Sequence, residues 1–247
     1  MEVLQTKEVY PDKEYPSFMK RPFINLLRGV SHLEEYEFTS SSFAYLNSTG
    51  KRILDIFGSL VGIIIGFPAF IVAAMIVKIV DHSPVIFFQE RYGFHGKPFI
   101  FYKLRTLKII DEPESVQIGQ IQYKARHETT ITGNLWRVTS IDEIIQFWLV
   151  LKGDMSLIGH RPIPMFYLQY LDQIEGMNKS KLDHYLDIIS KYKPGMSSLS
   201  SVNGRGDLAI QQKMEYDLIY AHNASFALDI GLLFRTVIAV ITGRGAK

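Results

Sequence analysis

The sequence predicts a mixed α/β fold: a small membrane-associated domain with an N-terminal membrane helix, a short β-hairpin and several amphipathic helices. Three observations predict it. From Ile56 to Val77 no residue is charged. Two β-branched and aromatic runs flank the glycine-containing "YGFHG", which is a hairpin signal. Helical segments then follow a capping signal at Ser140 and close the chain over about 208–222 and 226–242.

Composition narrows the function classes. The 27 basic and 25 acidic residues nearly cancel, so no bulk attraction to nucleic acid is implied. With no cysteine there is no disulfide framework and no thiolate metal site. The seven histidines are scattered without zinc-ligand spacing. A mean hydropathy of +0.06 is high for a soluble chain, and the excess is local.

Residues 1–50 read as a separate extension of unknown role. They begin with the mixed-charge "MEVLQTKEVYPDKEYPSFMKRP", which lacks the apolar core of a secretory signal. They end in the serine-rich linker "FTSSSFAYLNSTG". Residues 51–82 form the membrane segment. Its uncharged stretch is about 22 residues, roughly 33 Å as a helix, enough to span a bilayer. Pro68 lacks an N–H and clashes with the preceding turn, which predicts a break there, and Gly62 and Gly66 nearby allow a sharp bend. Lys51 and Arg52 stand at one end and Lys78 at the other, so the flanks lack the one-sided basic bias of a single span. A spanning helix and a re-entrant helix that turns near Pro68 both remain open on these residues.

The body, 83–247, starts with the hairpin. Lys103 and Arg105 lie at the end of its second run, on one face if that run is a strand. The polar stretch 111–130 reads as loop. Arg137 precedes "SIDEIIQFWLVLKG", in which Ser140 and Glu143 have the spacing of a capping box. Asp142 suits the positive end of the helix dipole, and Lys152-Gly153 reads as a helix stop. Two adjacent carboxylates here either start a helix or do chemistry. "GDMSLIGHRPIP" places Arg161-Pro162 in a turn, "MFYLQYL" suits a membrane interface, and "KPGMSSLSSVNGRGD" carries turn signals before Arg205. The final segment has Asp229 and Arg235 as its only charges, which fits either a core helix or one lying on a membrane. Collected, Lys103, Arg105, Arg137, Arg161 and Arg205 with Asp142, Glu143 and Asp217 make a plausible phosphate site. Arginine forks bind phosphate, carboxylates hold Mg2+, and an aspartate can attack phosphorus.

Five separated blocks resemble, in order, the bacterial sugar transferases, the monotopic polyprenyl-phosphate phosphoglycosyl transferases. They are "KRILDIFGS…FP", "FFQERYGFHGKPFIFYKLRTL", "SIDEIIQFWLVLKGDMSLIGHRP", "KPGMSSLSSVNGR" and "MEYDLIYAHNASFALDI". The resemblance runs from about Lys51 to Lys247. It implies a phosphotransferase on the cytoplasmic face of the bacterial inner membrane. That enzyme moves a phosphosugar from a UDP-sugar to polyprenyl (undecaprenyl) phosphate, releases UMP and starts lipid-linked glycan synthesis. Asp142 would be the nucleophile that carries the phosphosugar. Glu143 would complete the Asp-Glu pair, and both would support Mg2+. Arg137 and Arg205, with Lys103 and Arg105, would serve the phosphates, with Asp217 nearby. Arg161-Pro162 would meet the nucleotide, and Pro68 would break a re-entrant helix. Further partners would be the bilayer and either a second copy or a glycosyltransferase of the pathway.

The chain departs from the family pattern at two places. His160 stands where the family has proline, which frees φ and restores an N–H. Ser198 replaces a glycine, which puts a side chain on a position expected to want positive φ, and Ser201 replaces a glutamine. These departures sustain the rival expectation of a catalytically silent membrane scaffold or regulator. Retention of the charged residues favours the enzyme.

Overall fold

The computed structural model describes residues 37–108, 128–168, 171, 179–204 and 208–242. The fold is organised around one long helix. Helix α1 (Ser40–Leu46) is capped by Thr39, and helix α2 (Thr49–Val80) by Ser48, whose side chain accepts from the Lys51 N–H. Pro68 lies inside α2, which continues as one helix through it. The kink or break expected at Pro68 does not end the helix there. Proline's fixed φ is itself helical, so the cost is a missing backbone hydrogen bond and crowding of the preceding turn.

Glycine explains how α2 seats on the body. A Cβ at Gly58 would meet Leu157, at Gly62 the Phe147 ring, and at Gly66 the Ile144 side chain. Spaced four apart, the three glycines share one helix face and let the body approach the backbone. They serve close packing where the sequence suggested bending. The same side buries Lys51, Asp55, Ser59, Phe70, Ala73 and Val77. The opposite side exposes Ile53, Phe57, Ile64, Ile65, Val72 and Ile79. α2 thus buries the charges Lys51 and Asp55 and turns much of its apolar surface outward, the reverse of a helix bathed in water.

The hairpin forms as expected. Strands β1 (Ile86–Tyr92) and β2 (Pro98–Leu104) pair antiparallel, with Phe87 opposite Lys103 and Arg91 opposite Phe99. The turn takes left-handed φ at His95 and Gly96. Helix α3 (Gly133–Thr139) is tied to the end of α2, since the Thr132 N–H and hydroxyl both donate to Asp81. A core of Phe70, Ala73 and Val77 from α2, Leu104 from β2 and Trp136 from α3 joins these pieces. Helix α4 (Gln146–Lys152) stops at Gly153, φ 100°, and its C-terminal carbonyls accept from the Arg52 guanidinium, 2.6 Å at Val150.

Strand β3 (Ser156–Ile158) pairs in parallel with β4 (Gly195–Ser197). Helices α5 (Met165–Leu168), α6 (Lys179–Ser190), α7 (Leu199–Asn203), α8 (Ile210–Asn223) and α9 (Phe226–Thr242) complete the described residues. Against the expected α/β mixture the domain is mostly helical, with one antiparallel hairpin and one short parallel pair. On α9 the charges Asp229 and Arg235 are buried, whereas Phe234, Val237 and Ile241 are exposed, so it repeats the inverted pattern of α2. Residues 37–50 pack on the body: Thr39 donates to the His222 carbonyl and Tyr45 to Asp229.

Ser198 takes φ −144°, an extended conformation open to any residue, and its hydroxyl caps α7 by accepting from the Ser201 N–H at 3.1 Å. The strain expected from replacing glycine is absent, because the position does not use positive φ.

Candidate active site

The Asp-Glu pair does not begin a helix through a capping box. Ser140 adopts φ 56°, left-handed, and ends α3: its N–H bonds the carbonyls of Arg137 and Trp136. Its side chain makes no capping bond. Ile141–Glu143 follow as a 3-10 turn, and α4 starts only at Gln146. The chain passes through a left-handed residue and a 3-10 turn where the sequence suggested a straight helical entry. The Ser140 N–H is already bonded, which frees Glu143 from the backbone role a capping box would give it.

Packing of that turn against β2 leaves Asp142 only 6% exposed. Burial lifts its carboxyl to about 7, and the neighbouring Glu143 charge adds to the rise. Lys103 and Arg137 oppose it. Lys103 is itself pulled down by burial, held up by Asp142 and Glu143, and pushed down by Arg91 and Arg137. Asp142, Glu143, Lys103 and Arg137 therefore influence one another electrostatically.

Arg91 is the member that reading the sequence missed. The hairpin register puts Phe87, Gln89 and Arg91 on the same face as Phe99, Phe101 and Lys103. Arg91 stacks over the Phe101 ring at 4.6 Å, and Lys103 lies over Phe87 at 5.5 Å. Burial and the charge of Arg161 lower Arg91 to about 10, opposed by Glu143. The strand alternation would have aligned Arg91 with Lys103.

Arg161-Pro162 reaches the cluster through the same hairpin. Arg91 Nη1 donates to the Pro162 carbonyl at 2.6 Å, and the Tyr92 N–H to Ile163 at 2.8 Å. Asp217, expected near phosphate, is buried. Its Oδ1 accepts from the Arg161 N–H at 3.3 Å and its Oδ2 from the Tyr185 hydroxyl at 2.9 Å. Burial lifts it to about 7, against those two bonds and the Arg161 charge. Both oxygens are engaged in holding the loop. Arg105 likewise serves the backbone: its Nε donates to the Pro84 carbonyl at 3.0 Å. Arg205 lies outside the described residues.

His160 is fully buried beneath Arg161, its ring edge-on to Tyr192 at 5.1 Å between centroids. Burial pushes it down to about 4, so it is neutral in ordinary buffers. Arg91, Arg161 and Lys213 line a cavity of about 320 Å³ together with Phe166, Tyr167 and Asp217. Cations beside aromatic walls suit a nucleotide.

Among the described residues no three histidine, aspartate or glutamate side chains group as metal ligands. Mg2+ commonly takes one or two carboxylates and completes its shell with water and substrate phosphates. The mutually repelling Asp142 and Glu143 fit that donor set.

A family profile described as bacterial sugar transferase matches residues 46–243. The chain is 33% identical over 83% of its length to the galactosyl transferase CpsE of Streptococcus agalactiae, covering 45% of that protein. It is 37% identical over 78% of its length to a UDP-glucose:undecaprenyl-phosphate glucose-1-phosphate transferase of Klebsiella pneumoniae, covering 40%. It is 35% identical over 80% of its length to EpsL, an uncharacterised sugar transferase of Bacillus subtilis, covering 90%. The chain thus spans less than half of the first two relatives and most of the third.

Proposed function

The chain belongs to the bacterial sugar transferase family, and from that premise we propose that it transfers a sugar-1-phosphate from a UDP-sugar to polyprenyl phosphate. One observation carries the reading: Asp142 is a buried carboxylate next to Glu143 in the chain, and the charges of Lys103 and Arg137 act on it. An Asp142 oxygen attacks the β-phosphorus of the donor. The bond from that phosphorus to the bridging oxygen breaks, and its electron pair leaves on UMP. Asp142 then carries the phosphosugar as an acyl phosphate. An oxygen of polyprenyl phosphate attacks the same phosphorus, restores the carboxylate and yields polyprenyl-diphosphate-sugar.

The raised proton affinity of Asp142 suits this role, because a more basic carboxylate is a better nucleophile once ionised. Lys103 and Arg137 offset charge on the transferring phosphoryl group in a site with little water. Mg2+, held by Asp142 and Glu143, would supply further charge neutralisation at the phosphates. Asp217 fixes the Arg161 loop, which places the nucleotide end of the donor at the aromatic cavity.

The membrane reading is monotopic and re-entrant, with the body on the cytoplasmic face. α2 supports it by packing one side on the body along both halves, from Gly58 to Val77. Exposed Phe234, Val237 and Ile241 on α9, with Leu135, Val138 and Trp148, supply more apolar surface for the lipid interface. The test is intact-mass analysis of the detergent-purified chain after exposure to donor alone. A phosphosugar adduct that maps to Asp142 supports the reading; an unmodified protein, with donor consumed or not, contradicts it.

A further inference from the structure

The mechanism above leaves Arg91 unused, although the fold invests heavily in it. Its guanidinium feels the charges of Arg161 and Glu143 and is covered on one side by Phe101. Nη1 is committed to the Pro162 carbonyl. Nε is buried and meets no acceptor among the described residues. A desolvated cation beside a second cation, with an N–H unsatisfied, is an unfavourable arrangement that an arriving anion relieves. Arg91 also lines the cavity with Arg161 and Lys213, and the hairpin register puts it on the same strand-pair face as Lys103 of the Asp142 cluster.

Position decides which anion. Asp142 marks where the β-phosphorus must sit, and the aromatic cavity marks where the base and ribose fit. Arg91 belongs to both: it lines the cavity and shares the hairpin face of Lys103. We propose that Arg91 binds the α-phosphate of the nucleotide donor and stabilises it as the leaving group, a role that rests on the transferase reading above. When Asp142 attacks, the electron pair of the broken P–O bond collects on the oxygen attached to that α-phosphate. Arg91 faces this oxygen's phosphate with the edge not used by Pro162. Arginine suits the place because its charge is permanent and its fork is planar. The acceptor lipid phosphate enters after UMP has left, so Arg91 acts on the donor half-reaction.

The competing explanation is purely structural, in which Arg91 only pins the Pro162 loop. The two separate by comparing UMP with uridine, which share base and ribose and differ in the phosphate. Binding of each is measured calorimetrically on the full chain in detergent, for wild type, Arg91→Gln and Arg91→Lys. Wild type is expected to prefer UMP by at least about tenfold. Arg91→Gln should lose most of that preference with uridine affinity unchanged, which also shows that the variant is folded. Arg91→Lys, which keeps the charge and the stem over Phe101, should retain part of it. Equal weakening of both ligands, or a preference that survives Arg91→Gln, overturns the proposal. Were Arg91→Gln to bind neither ligand, the Arg91→Lys ratio decides: an unchanged preference overturns the proposal and a reduced one supports it. Wild type that binds neither UMP nor a UDP-sugar removes the transferase reading itself, and Arg91's role with it.

Discussion

Lys51 Nζ lies 2.6 Å from Asp229 Oδ2, and both side chains are buried. This ion pair joins the foot of α2 to α9, 178 residues away in sequence. The same Lys51 donates to the Ile158 carbonyl, while Tyr45 and Tyr220 donate to Asp229. The membrane helix is thus rooted in a polar knot in which hydrogen bonds compensate much of the desolvation. Lys51→Met leaves Asp55 and Asp229 without their cation and should cost about 3–5 kcal/mol, read as a lower melting temperature in detergent. Pairing it with Asp229→Asn should recover part of the loss, because the residues share one network. Strictly additive losses would show that the pair is not coupled.

Asp142 trades stability for reactivity. Its folded value near 7 lies above the usual 3.8, so the folded state favours the protonated acid. That contribution is complete below about pH 4 and is lost as pH rises through 7. Asp142→Asn should therefore be more stable than wild type at pH 8, by about 1–2 kcal/mol. The gain should vanish towards pH 4. A variant that is less stable at pH 8 would argue against a strained buried carboxylate.

In the proposed reaction the same titration sets the rate. The nucleophile must be ionised, so kcat/KM for the donor should rise with pH through about 7, the value of Asp142. Lys103 holds Asp142 down. Lys103→Met should move the acid limb to higher pH, in addition to lowering the plateau. An acid limb that stays in place would remove Lys103 from the cluster.

Gly62 tests the seating of α2. Any side chain there meets the Phe147 ring, and overpacking a tight core costs about 1–3 kcal/mol. Gly62→Val should destabilise by that amount, and Phe147→Ala in the same chain should relieve the clash. If Gly62→Val is neutral, the helix does not rest on α4 as described.

Asp217 acts through Arg161. Asp217→Ala removes the acceptor of the Arg161 N–H and of the Tyr185 hydroxyl, so the loop proposed to meet the nucleotide loses its support. The donor KM should rise at least about tenfold with a smaller change in kcat, and the acceptor KM should not move. Equal effects on both substrates would point to general unfolding.

Local signals made the hairpin and the C-terminal helices legible in the sequence, and they brought Asp142, Arg137 and Lys103 forward as candidates. The strands announce themselves by β-branched and aromatic runs, and the glycine-bearing turn fixes their pairing. The stop at Gly153 was legible too. The path at Ser140 was not, because "SxxE" satisfies a capping box and a helix-ending left-handed residue equally well. Only the packing of Ile141 and Ile144 into the core decides between them. Gly62 and Gly66 misled for a related reason: a glycine that permits a bend also permits close approach, and Phe147 lies too far along the chain to be seen from there. The engagement of Asp217 and Arg105 with backbone atoms is a tertiary fact that a list of charges cannot contain. Arg91 was within reach, since strand alternation puts it on the face of Lys103.

The central claim is that Asp142 is the nucleophile of a phosphosugar transfer. Its most direct test is UMP release from a panel of UDP-sugars with polyprenyl phosphate and Mg2+, comparing wild type with Asp142→Asn. Release by wild type with at least one donor, and none by a folded Asp142→Asn, is the predicted result. Equal release by both proteins, or no release by folded wild type with any donor, would contradict it.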